Sequence, residues 1–249
     1  MRISGNTLFI PGATSGIGLA LAQRFKSRGN TVIIGGRRTE ILDELREQGF
    51  GTVRIDTADP NSVTEAAARV IAEYPDLNGL VNMAGIMVPE DWHKAEDFLS
   101  VAEDTVNVNL LGPIRLIAAF TEQLQSQPSA TIINVSSGLA FVPLARTATY
   151  SATKAAIHAL SEAVRVQYAD TSVQVIELVP PVVATGLADT ARNPRAIPLD
   201  DFADHVVELL EGEPDAHEIL VEQVGLQRYA ERRGDYEKVF GIINGLQRP

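Results

Sequence analysis

Tyr150 and Lys154, in the segment Tyr150-Ser151-Ala152-Thr153-Lys154, are the pair of side chains with the clearest chemical use. Residues four apart lie on one face of a helix, so the phenol and the ammonium are neighbours if this segment is helical. A tyrosine with an ordinary pKa of about 10 is a poor base at neutral pH, and a nearby cation favours the phenolate. The spacing therefore predicts a tyrosine that exchanges a proton with a substrate.

Ser137 lies upstream of this pair, at the end of the run Ile133-Asn134-Val135-Ser136-Ser137. We predict that its hydroxyl hydrogen-bonds the same substrate oxygen that Tyr150 protonates. As a lone serine at the end of a strand it would also suit a loop or a helix cap.

A glycine-rich loop, Gly12-Ala13-Thr14-Ser15-Gly16-Ile17-Gly18, follows an apolar run near the N-terminus. Glycines there permit a sharp turn, bring backbone N–H groups to a pyrophosphate and let the next helix pack close to the sheet. The spacing is G-x-x-x-G-x-G instead of the commoner G-x-G-x-x-G, so the loop alone fits a dinucleotide site or a ligand-free turn. The predicted cofactor contacts in it are Gly12, Ser15, Gly16, Ile17 and Gly18.

Arg37 and Arg38 follow the second apolar run, about 20 residues after the loop, where an NAD site usually carries an acidic residue. Guanidinium groups fork onto a 2′-phosphate, which an acid would repel. Gly36 leaves room where the acidic side chain would otherwise sit. The segment therefore predicts NADP as the preferred cofactor, with NAD possible; the alternative is a solvated pair of arginines at a helix start.

Polar and small residues follow the third and fourth apolar runs, in Asp56-Thr57 and Asn82-Met83-Ala84-Gly85. Open α/β sheets bind ligands at the carboxyl ends of their strands. We therefore predict that the cofactor site is also lined by Asp56, Thr57, Asn82, Ala84 and Gly85.

Seven short apolar runs alternate with segments of helical spacing. They are apolar on both alternating faces, which favours a parallel sheet covered on both sides. The runs span residues 7–11, 31–34, 51–55, 80–82, 130–135, 173–179 and 219–221. This alternation predicts an α/β fold: a single-domain, Rossmann-type, doubly wound parallel sheet of about seven strands, with helices on both faces, over residues 1–249.

Two long helical segments are predicted over residues 98–127 and 151–169. Gly112-Pro113 interrupts the first, so we expect a kink or a break there. Alanines and a leucine share one side of the second segment: Ala155, Ala159, Leu160 and Ala163.

The composition excludes several classes of protein. The chain of 249 residues is 45% hydrophobic and 21% charged, as in ordered globular proteins, and its net charge of -11 disfavours nucleic-acid binding. It contains no Cys, hence no disulfide, thiolate metal site or cysteine nucleophile. No apolar run approaches the ~18 residues of a membrane span. We therefore predict no membrane partner and a cytoplasmic location. The sequence contains four histidines, and they show no metal-ligand spacing: His93, His158, His205 and His217. We therefore predict no metal site.

From Thr7 to about Thr185 the chain resembles the short-chain dehydrogenase/reductase family in the joint order of its motifs. These are the glycine loop, the Asp56 turn, Asn82-Met83-Ala84-Gly85, Asn109, Ser137, Tyr150 with Lys154, and residues 180–185. Two further segments, Pro-Gly-Ala-Thr-Ser-Gly-Ile-Gly and Gly-Gly-Arg-Arg-Thr-Glu, are similar to the DltE-type oxidoreductase branch.

The resemblance implies a role for each catalytic residue. Tyr150 would be the general acid in reduction and the base in oxidation, and Ser137 would orient and polarise the substrate carbonyl. Lys154 would lower the pKa of Tyr150 and hold the nicotinamide ribose. Asn109 would hold a water that links Lys154 to solvent.

The resemblance also implies cofactor contacts. Asp56 would contact the adenine, Val183 and Thr185 would contact the nicotinamide carboxamide, and Pro180 belongs to the same binding segment. The chain departs from the family pattern at Pro11, Met83 and Pro181.

Together these observations predict an NADP(H)-preferring oxidoreductase that transfers a hydride between the nicotinamide and the carbonyl or alcohol carbon of a small molecule. The alternatives are a dinucleotide-binding regulator or scaffold without turnover, and an epimerase or dehydratase that uses the same site. Residues 186–199 are expected to close the substrate pocket as a lid.

The resemblance further implies a homo-oligomer, a dimer or a tetramer, that pairs through the two long helical segments. Leu116, Phe120 and Leu124 recur at helical spacing and could face a second copy, although some of them must face the sheet.

Overall fold

Seven parallel strands form one sheet in the computed structural model, which describes residues 1–187, 190 and 193–246. The strands are β1 Thr7–Pro11, β2 Thr31–Gly36, β3 Gly51–Arg54, β4 Gly79–Asn82, β5 Ala130–Val135, β6 Val173–Val179 and β7 Glu218–Leu220. Their order is β3-β2-β1-β4-β5-β6-β7, so the winding direction reverses between β1 and β4. The predicted doubly wound α/β sheet is confirmed.

The ends of the strands follow backbone pairing more closely than side-chain apolarity. β2 continues two residues beyond the predicted run because Gly35 and Gly36 pair with Val53 and Arg54 of β3. Glycine lacks the apolar side chain on which the prediction rested, although its backbone can still pair.

Helices cover both faces of the sheet. They are α1 Gly16–Ser27, α2 Thr39–Glu47, α3 Pro60–Glu73, α4 Ala95–Val106, α5 Gly112–Gln125, α6 Ala148–Gln167 and α7 Leu199–Gly212, followed by α8 Gly225–Arg228, α9 Ala230–Arg233 and α10 Tyr236–Asn244. One core joins the sheet to α1 and α7 through Leu21, Phe25, Phe202 and Val206. The other joins it to α3 and α5 through Val63, Val70, Leu116 and Phe120. Among these helices, none is long and apolar enough to cross a membrane.

A π-helical turn, Asn107–Leu111, joins α4 to α5 where a kink or break was expected at Gly112-Pro113. The helical path continues, because Gly112 itself has helical dihedral angles and the proline lies in the first turn of α5. A π turn is a local widening that is frequent at functional sites. It places the predicted site residue Asn109 in the interior, where it is 1% exposed.

The apolar side of α5 faces the sheet. Leu116, Phe120 and Leu124 are fully buried in the core, so they are unavailable to a second copy of the chain. That part of the oligomer prediction is wrong, since the three positions share the spacing of a core-facing stripe. On α6, by contrast, Ala155 and Ala159 are exposed.

A row of buried polar residues crosses the sheet under α6. Asn82 of β4 is in register with Asn134 of β5, which is in register with Glu177 of β6. The Asn82 amide donates to Asn134 Oδ1 at 2.7 Å, and the Asn134 amide donates to Ser161 Oγ of α6 at 3.0 Å. Because buried polar groups require partners, this polar row fixes where α6 lies on the sheet.

We expect Asn134→Ala to lower the free energy of unfolding by about 2–4 kcal/mol, because it removes two buried hydrogen bonds and leaves the Asn82 amide without its acceptor. Urea denaturation followed by circular dichroism measures the change. The control is Asn61→Ala at an exposed position of α3, where we expect a change within about 0.5 kcal/mol. Equal stability of the two variants would show that the polar row does not anchor α6.

Candidate active site

Tyr150 and Lys154 lie in the first two turns of α6, on the side that faces the sheet. Both are buried, with exposed fractions of 7% and 6%. Lys154 Nζ lies 5.6 Å from the centre of the Tyr150 ring. The helix therefore holds the phenol and the ammonium side by side, as the spacing predicted.

Ser137 follows β5 and caps a short 3-10 turn, Gly138–Ala140. Its Oγ accepts a hydrogen bond from the backbone N–H of Leu139 at 3.1 Å. The same side chain hydrogen-bonds Tyr150. Ser137 thus serves as a cap and as a neighbour of the phenol at once.

Burial raises the pKa of Tyr150 to about 12, and the hydrogen bond from Ser137 opposes this rise. In the free protein the loss of solvation is the larger of these two effects, and the lowering of this pKa by Lys154 stays a prediction. At neutral pH the phenol therefore carries its proton and can donate it.

Lys154 Nζ donates a hydrogen bond to the backbone carbonyl of Val135 at 2.7 Å. Burial lowers the pKa of Lys154 to about 8, while the negative charge of Glu177 raises it. The ammonium is therefore mostly protonated at neutral pH and begins to lose its proton just above it.

Asn109 holds the loop after β4 through both ends of its amide. Its Oδ1 accepts from the Ile86 N–H at 2.8 Å, and its Nδ2 donates to the Ile86 carbonyl at 2.8 Å. A Cβ atom on Gly85 would lie 3.4 Å from Asn109 Oδ1 and 3.9 Å from Lys154 Nζ. The structure therefore brings Asn109 close to the buried lysine, while its role toward a water stays a prediction.

Two glycines of the predicted loop adopt backbone conformations that other residues rarely adopt: Gly12 has a φ of +89° and Gly16 a φ of +56°. A Cβ atom on Gly12 would lie 2.5 Å from the Cα of Ala84, so only glycine lets the loops after β1 and β4 touch. Ser15 is the N-cap of α1, yet its exposed side chain makes no capping hydrogen bond. The hydroxyl and the first N–H groups of α1 are thus placed to meet a phosphate.

Arg37 and Arg38 are exposed at the end of β2. Arg38 Nη2 donates to Thr14 Oγ1 of the glycine loop at 3.0 Å, which brings the guanidinium beside that loop. The space expected at Gly36 is filled, since a Cβ atom there would overlap the Cγ2 methyl of Thr14. An acidic residue at this position would therefore require Thr14 to move.

In the loops after β3 and β4, several side chains predicted to contact the cofactor instead bond or pack within the protein. Asp56 Oδ1 accepts from the Ala58 N–H at 3.1 Å, and Thr57 is buried against the start of α5. Asn82 is 3% exposed and belongs to the polar row through its amide. Its side chain therefore stabilises the sheet, whereas Ala84 contacts the glycine loop.

The segment after β6 approaches both ends of the site. The Pro180 carbonyl accepts from the Gly138 N–H at 2.9 Å, next to Ser137, and Thr185 lies 3.7 Å from the Cβ position of Gly16. Val183 is buried and forms a bridge with Ile197. Within the predicted lid, residues 186–199, Ala188, Asp189, Ala191 and Arg192 lie outside the described residues.

Sequence reasoning missed a cluster one helical turn from Lys154. His158 Nδ1 lies 2.7 Å from Glu177 Oε2, and Arg228 binds Glu218 at 2.9 Å. These residues come from α6, β6, α8 and β7, so no local spacing relates them. The one available signal was Glu177, an acid inside the apolar run of β6.

Glu90 is a second residue that the sequence did not single out. Its Oε2 accepts from the backbone N–H of Thr149 at 3.1 Å, at the start of α6, and from the Trp92 indole N–H at 2.8 Å. A carboxylate at a helix N-terminus is stabilising, so Glu90 fixes the first turn of the helix that carries Tyr150.

Known proteins match most or all of the chain. The family model described as short chain dehydrogenase matches residues 6–196. The chain is 40% identical over 252 residues to an uncharacterized oxidoreductase, DltE, of Bacillus subtilis, with 98% of each chain covered. A solved short chain dehydrogenase from Burkholderia cenocepacia, in complex with NADP, shares 29% identity and a TM-score of 0.82 over 100% of both chains.

A second structure supports the fold. A short chain dehydrogenase/reductase from Burkholderia phymatum, in complex with NAD, has a TM-score of 0.81 at 22% identity and covers 100% of this chain and 99% of its own. The family match spans most of the sequence, and the buried Tyr150, Lys154 and Ser137 lie together at the carboxyl end of the sheet. This chain belongs to the short-chain dehydrogenase/reductase family of NAD(P)-dependent oxidoreductases.

Proposed function

We propose that this enzyme is an NADP(H)-preferring reductase of small carbonyl compounds that also catalyses the reverse oxidation of the alcohols. The observation that carries the proposal is the buried, protonated Tyr150 phenol, hydrogen-bonded to Ser137 and flanked by the Lys154 ammonium. This arrangement is suited to deliver a proton to an oxygen held between the two hydroxyls.

In the proposed reduction, Ser137 donates a hydrogen bond to the substrate carbonyl oxygen and thereby polarises the carbonyl. Tyr150 donates its proton to the same oxygen as negative charge develops there. The Lys154 ammonium stabilises the phenolate that remains, since an opposite charge favours the ionised form. When bound, the nicotinamide supplies the hydride in reduction and accepts it in oxidation.

The cofactor end of the site is proposed to be formed by the glycine loop and the two arginines. The first turn of α1 and Ser15 would hold the pyrophosphate, and Arg37 and Arg38 would bind the 2′-phosphate of NADP. Both arginines are exposed, and the Arg38 guanidinium lies beside Thr14 of the glycine loop. The NADP found in the Burkholderia cenocepacia structure supports this choice.

We expect Tyr150→Phe to reduce turnover about 100-fold or more while cofactor affinity changes little, because the substitution removes only the proton donor. A panel of ketones, aldehydes and alcohols, followed by nicotinamide absorbance with both cofactors, identifies the substrate and measures turnover. NADPH fluorescence measures binding. The matched control is Tyr229→Phe at an exposed position, which we expect to leave both values unchanged. Retention of most of the turnover by Tyr150→Phe would rule out the mechanism.

We expect the wild-type enzyme to bind NADPH at least about tenfold more tightly than NADH, because a charge-assisted bond to phosphate contributes roughly 1.5–3 kcal/mol. Replacing Arg37 and Arg38 together by Ala should remove most of this preference by weakening NADPH alone. Fluorescence titration of both cofactors measures it. Arg69→Ala, which removes one exposed positive charge on α3, should leave the ratio unchanged. Equal or tighter binding of NADH by the wild type would refute the assignment.

We further propose that the enzyme works as a cytoplasmic homo-oligomer, a dimer or a tetramer. On α6, Ala152, Ala155, Ala159 and Ala163 are exposed, and Ile114 on α5 is 40% exposed. We propose that a second copy covers these exposed positions, since Leu116, Phe120 and Leu124 of α5 are buried in the core.

Light scattering at micromolar concentration should give a multiple of 26.8 kDa, and Ala159→Arg should reduce the mass because a charge would be buried between copies. Ala169→Arg, beyond the end of α6, is the control for added charge. A stable wild-type monomer would contradict the proposal.

A further inference from the structure

Glu177 is a fully buried carboxylate to which the proposed proton transfer assigns no role. It lies on β6, is 0% exposed, and belongs to the polar row under α6. Ionised carboxylates are costly to bury unless charged or hydrogen-bonding groups compensate them. The groups that compensate the Glu177 carboxylate therefore indicate its role.

Two side chains hold the Glu177 carboxylate in place. Ser136 Oγ donates to Oε1, and His158 Nδ1 lies 2.7 Å from Oε2. Ser136 precedes the proposed catalytic Ser137, and His158 follows Lys154 by one turn of α6. One partner of the carboxylate is thus the chain neighbour of Ser137, and the other lies one helical turn from Lys154.

The hydrogen bond to Glu177 raises the pKa of His158. A positive charge next to a carboxylate favours the charged form of the carboxylate, so the two side chains compensate each other in the interior. The carboxylates of Glu218 and Glu162 also face His158, at 3.8 Å each. Both oxygens of Glu218 accept from Arg228, so this carboxylate is paired with a guanidinium as well.

Lys154 lacks a direct anionic partner among the described residues. Its ammonium donates to the carbonyl of Val135, and no described carboxylate lies within ion-pair distance of it. Val135 is the backbone neighbour of Ser136, and its register partner Leu178 is the neighbour of Glu177. The Glu177 charge consequently acts on Lys154 through the interior of the protein, where screening is weak.

Glu177 is the carboxylate whose charge raises the pKa of Lys154, while the half-buried Glu90 binds the first turn of α6 at the Thr149 N–H. Tyr150, on the same helix, is protonated at neutral pH. The 3-10 turn after Ser137 and the π turn with Asn109 carry no titratable side chain. α4 and the turn before α6 also pack on α6, and their described titratable residues are exposed: Glu96, Glu103, Asp104 and Arg146.

We propose that Glu177 is a positioning residue of this active site: its carboxylate, fixed by Ser136 and His158 beneath α6, keeps the buried Lys154 ammonium protonated. The inference rests on Lys154 taking part in the proposed proton transfer. Glu177 touches neither substrate nor cofactor, and it acts through the charge that it places beside the lysine.

Lysine titration by nuclear magnetic resonance tests the proposal without a substrate or a cofactor. The chain has four lysines, Lys26, Lys94, Lys154 and Lys238, so the ¹³Cε signals of labelled lysine are few, and Lys154→Met assigns the one of interest. In the wild type this signal should titrate at about 8, well below the ordinary lysine value of about 10.4.

Glu177→Gln has nearly the same shape and removes the charge, so it should move the Lys154 midpoint to lower pH by about one unit. Glu162→Gln removes an equal charge from an exposed position on the same helix and should leave the midpoint unchanged. An unchanged midpoint in folded Glu177→Gln would overturn the proposal. If Glu177→Gln does not fold, the comparison is repeated with Glu177→Asp, which keeps the charge, and Glu177→Asn, which removes it. We expect the lower Lys154 midpoint in Glu177→Asn. Equal Lys154 midpoints in these two variants would overturn the proposal.

With a substrate in hand, the alkaline fall of the reduction rate should move in the same direction in Glu177→Gln, while Glu162→Gln keeps the wild-type pH profile. A merely structural role would lower the rate at every pH and leave the profile in place. The resonance titration does not depend on the substrate class or on NADP preference, so a failure of the proposed function is distinguishable from a failure of this inference.

Discussion

The position of α6 on the sheet is the constraint on which the rest of the site depends, and buried polar groups set it. Asn134 and Glu177 are 0% exposed and hydrogen-bond Ser161 and His158 of this helix. A shift of α6 along the sheet would leave these groups unpaired, at a cost of about 1–3 kcal/mol each. The polar row therefore admits one placement of the helix, and that placement brings Tyr150 beside Ser137.

Burial acts in opposite directions on the two titratable residues of the site. It raises the pKa of Tyr150 to about 12 and lowers that of Lys154 to about 8, since in each case it disfavours the charged form. The free protein thus holds a neutral phenol and an ammonium close to its titration point. Such a site can donate the proton of Tyr150. In our proposal, the charge of Glu177 keeps the Lys154 ammonium protonated.

The proposed cofactor end of the site differs from the proton-transfer end, because it consists of two loops in close backbone contact and of exposed side chains. Gly12 allows the loops after β1 and β4 to touch, and the side chains of Ser15, Arg37 and Arg38 are exposed. Exposed charges interact weakly until a ligand covers them. Selectivity for the cofactor is therefore expected to depend on these few contacts, whereas proton transfer depends on the interior.

The sequence by itself determined the strand pattern, the doubly wound sheet, the glycine loop and the placement of Tyr150 and Lys154 on one helix, because each depends on local spacing or on apolar periodicity. Only the tertiary structure decided that Leu116 faces the sheet, that Thr14 fills the space at Gly36, and that His158 meets Glu177. These outcomes depend on which side of an element faces which neighbour, and the partners are distant along the chain. Local periodicity describes one element at a time, so it cannot reveal a contact formed between α6 and β6.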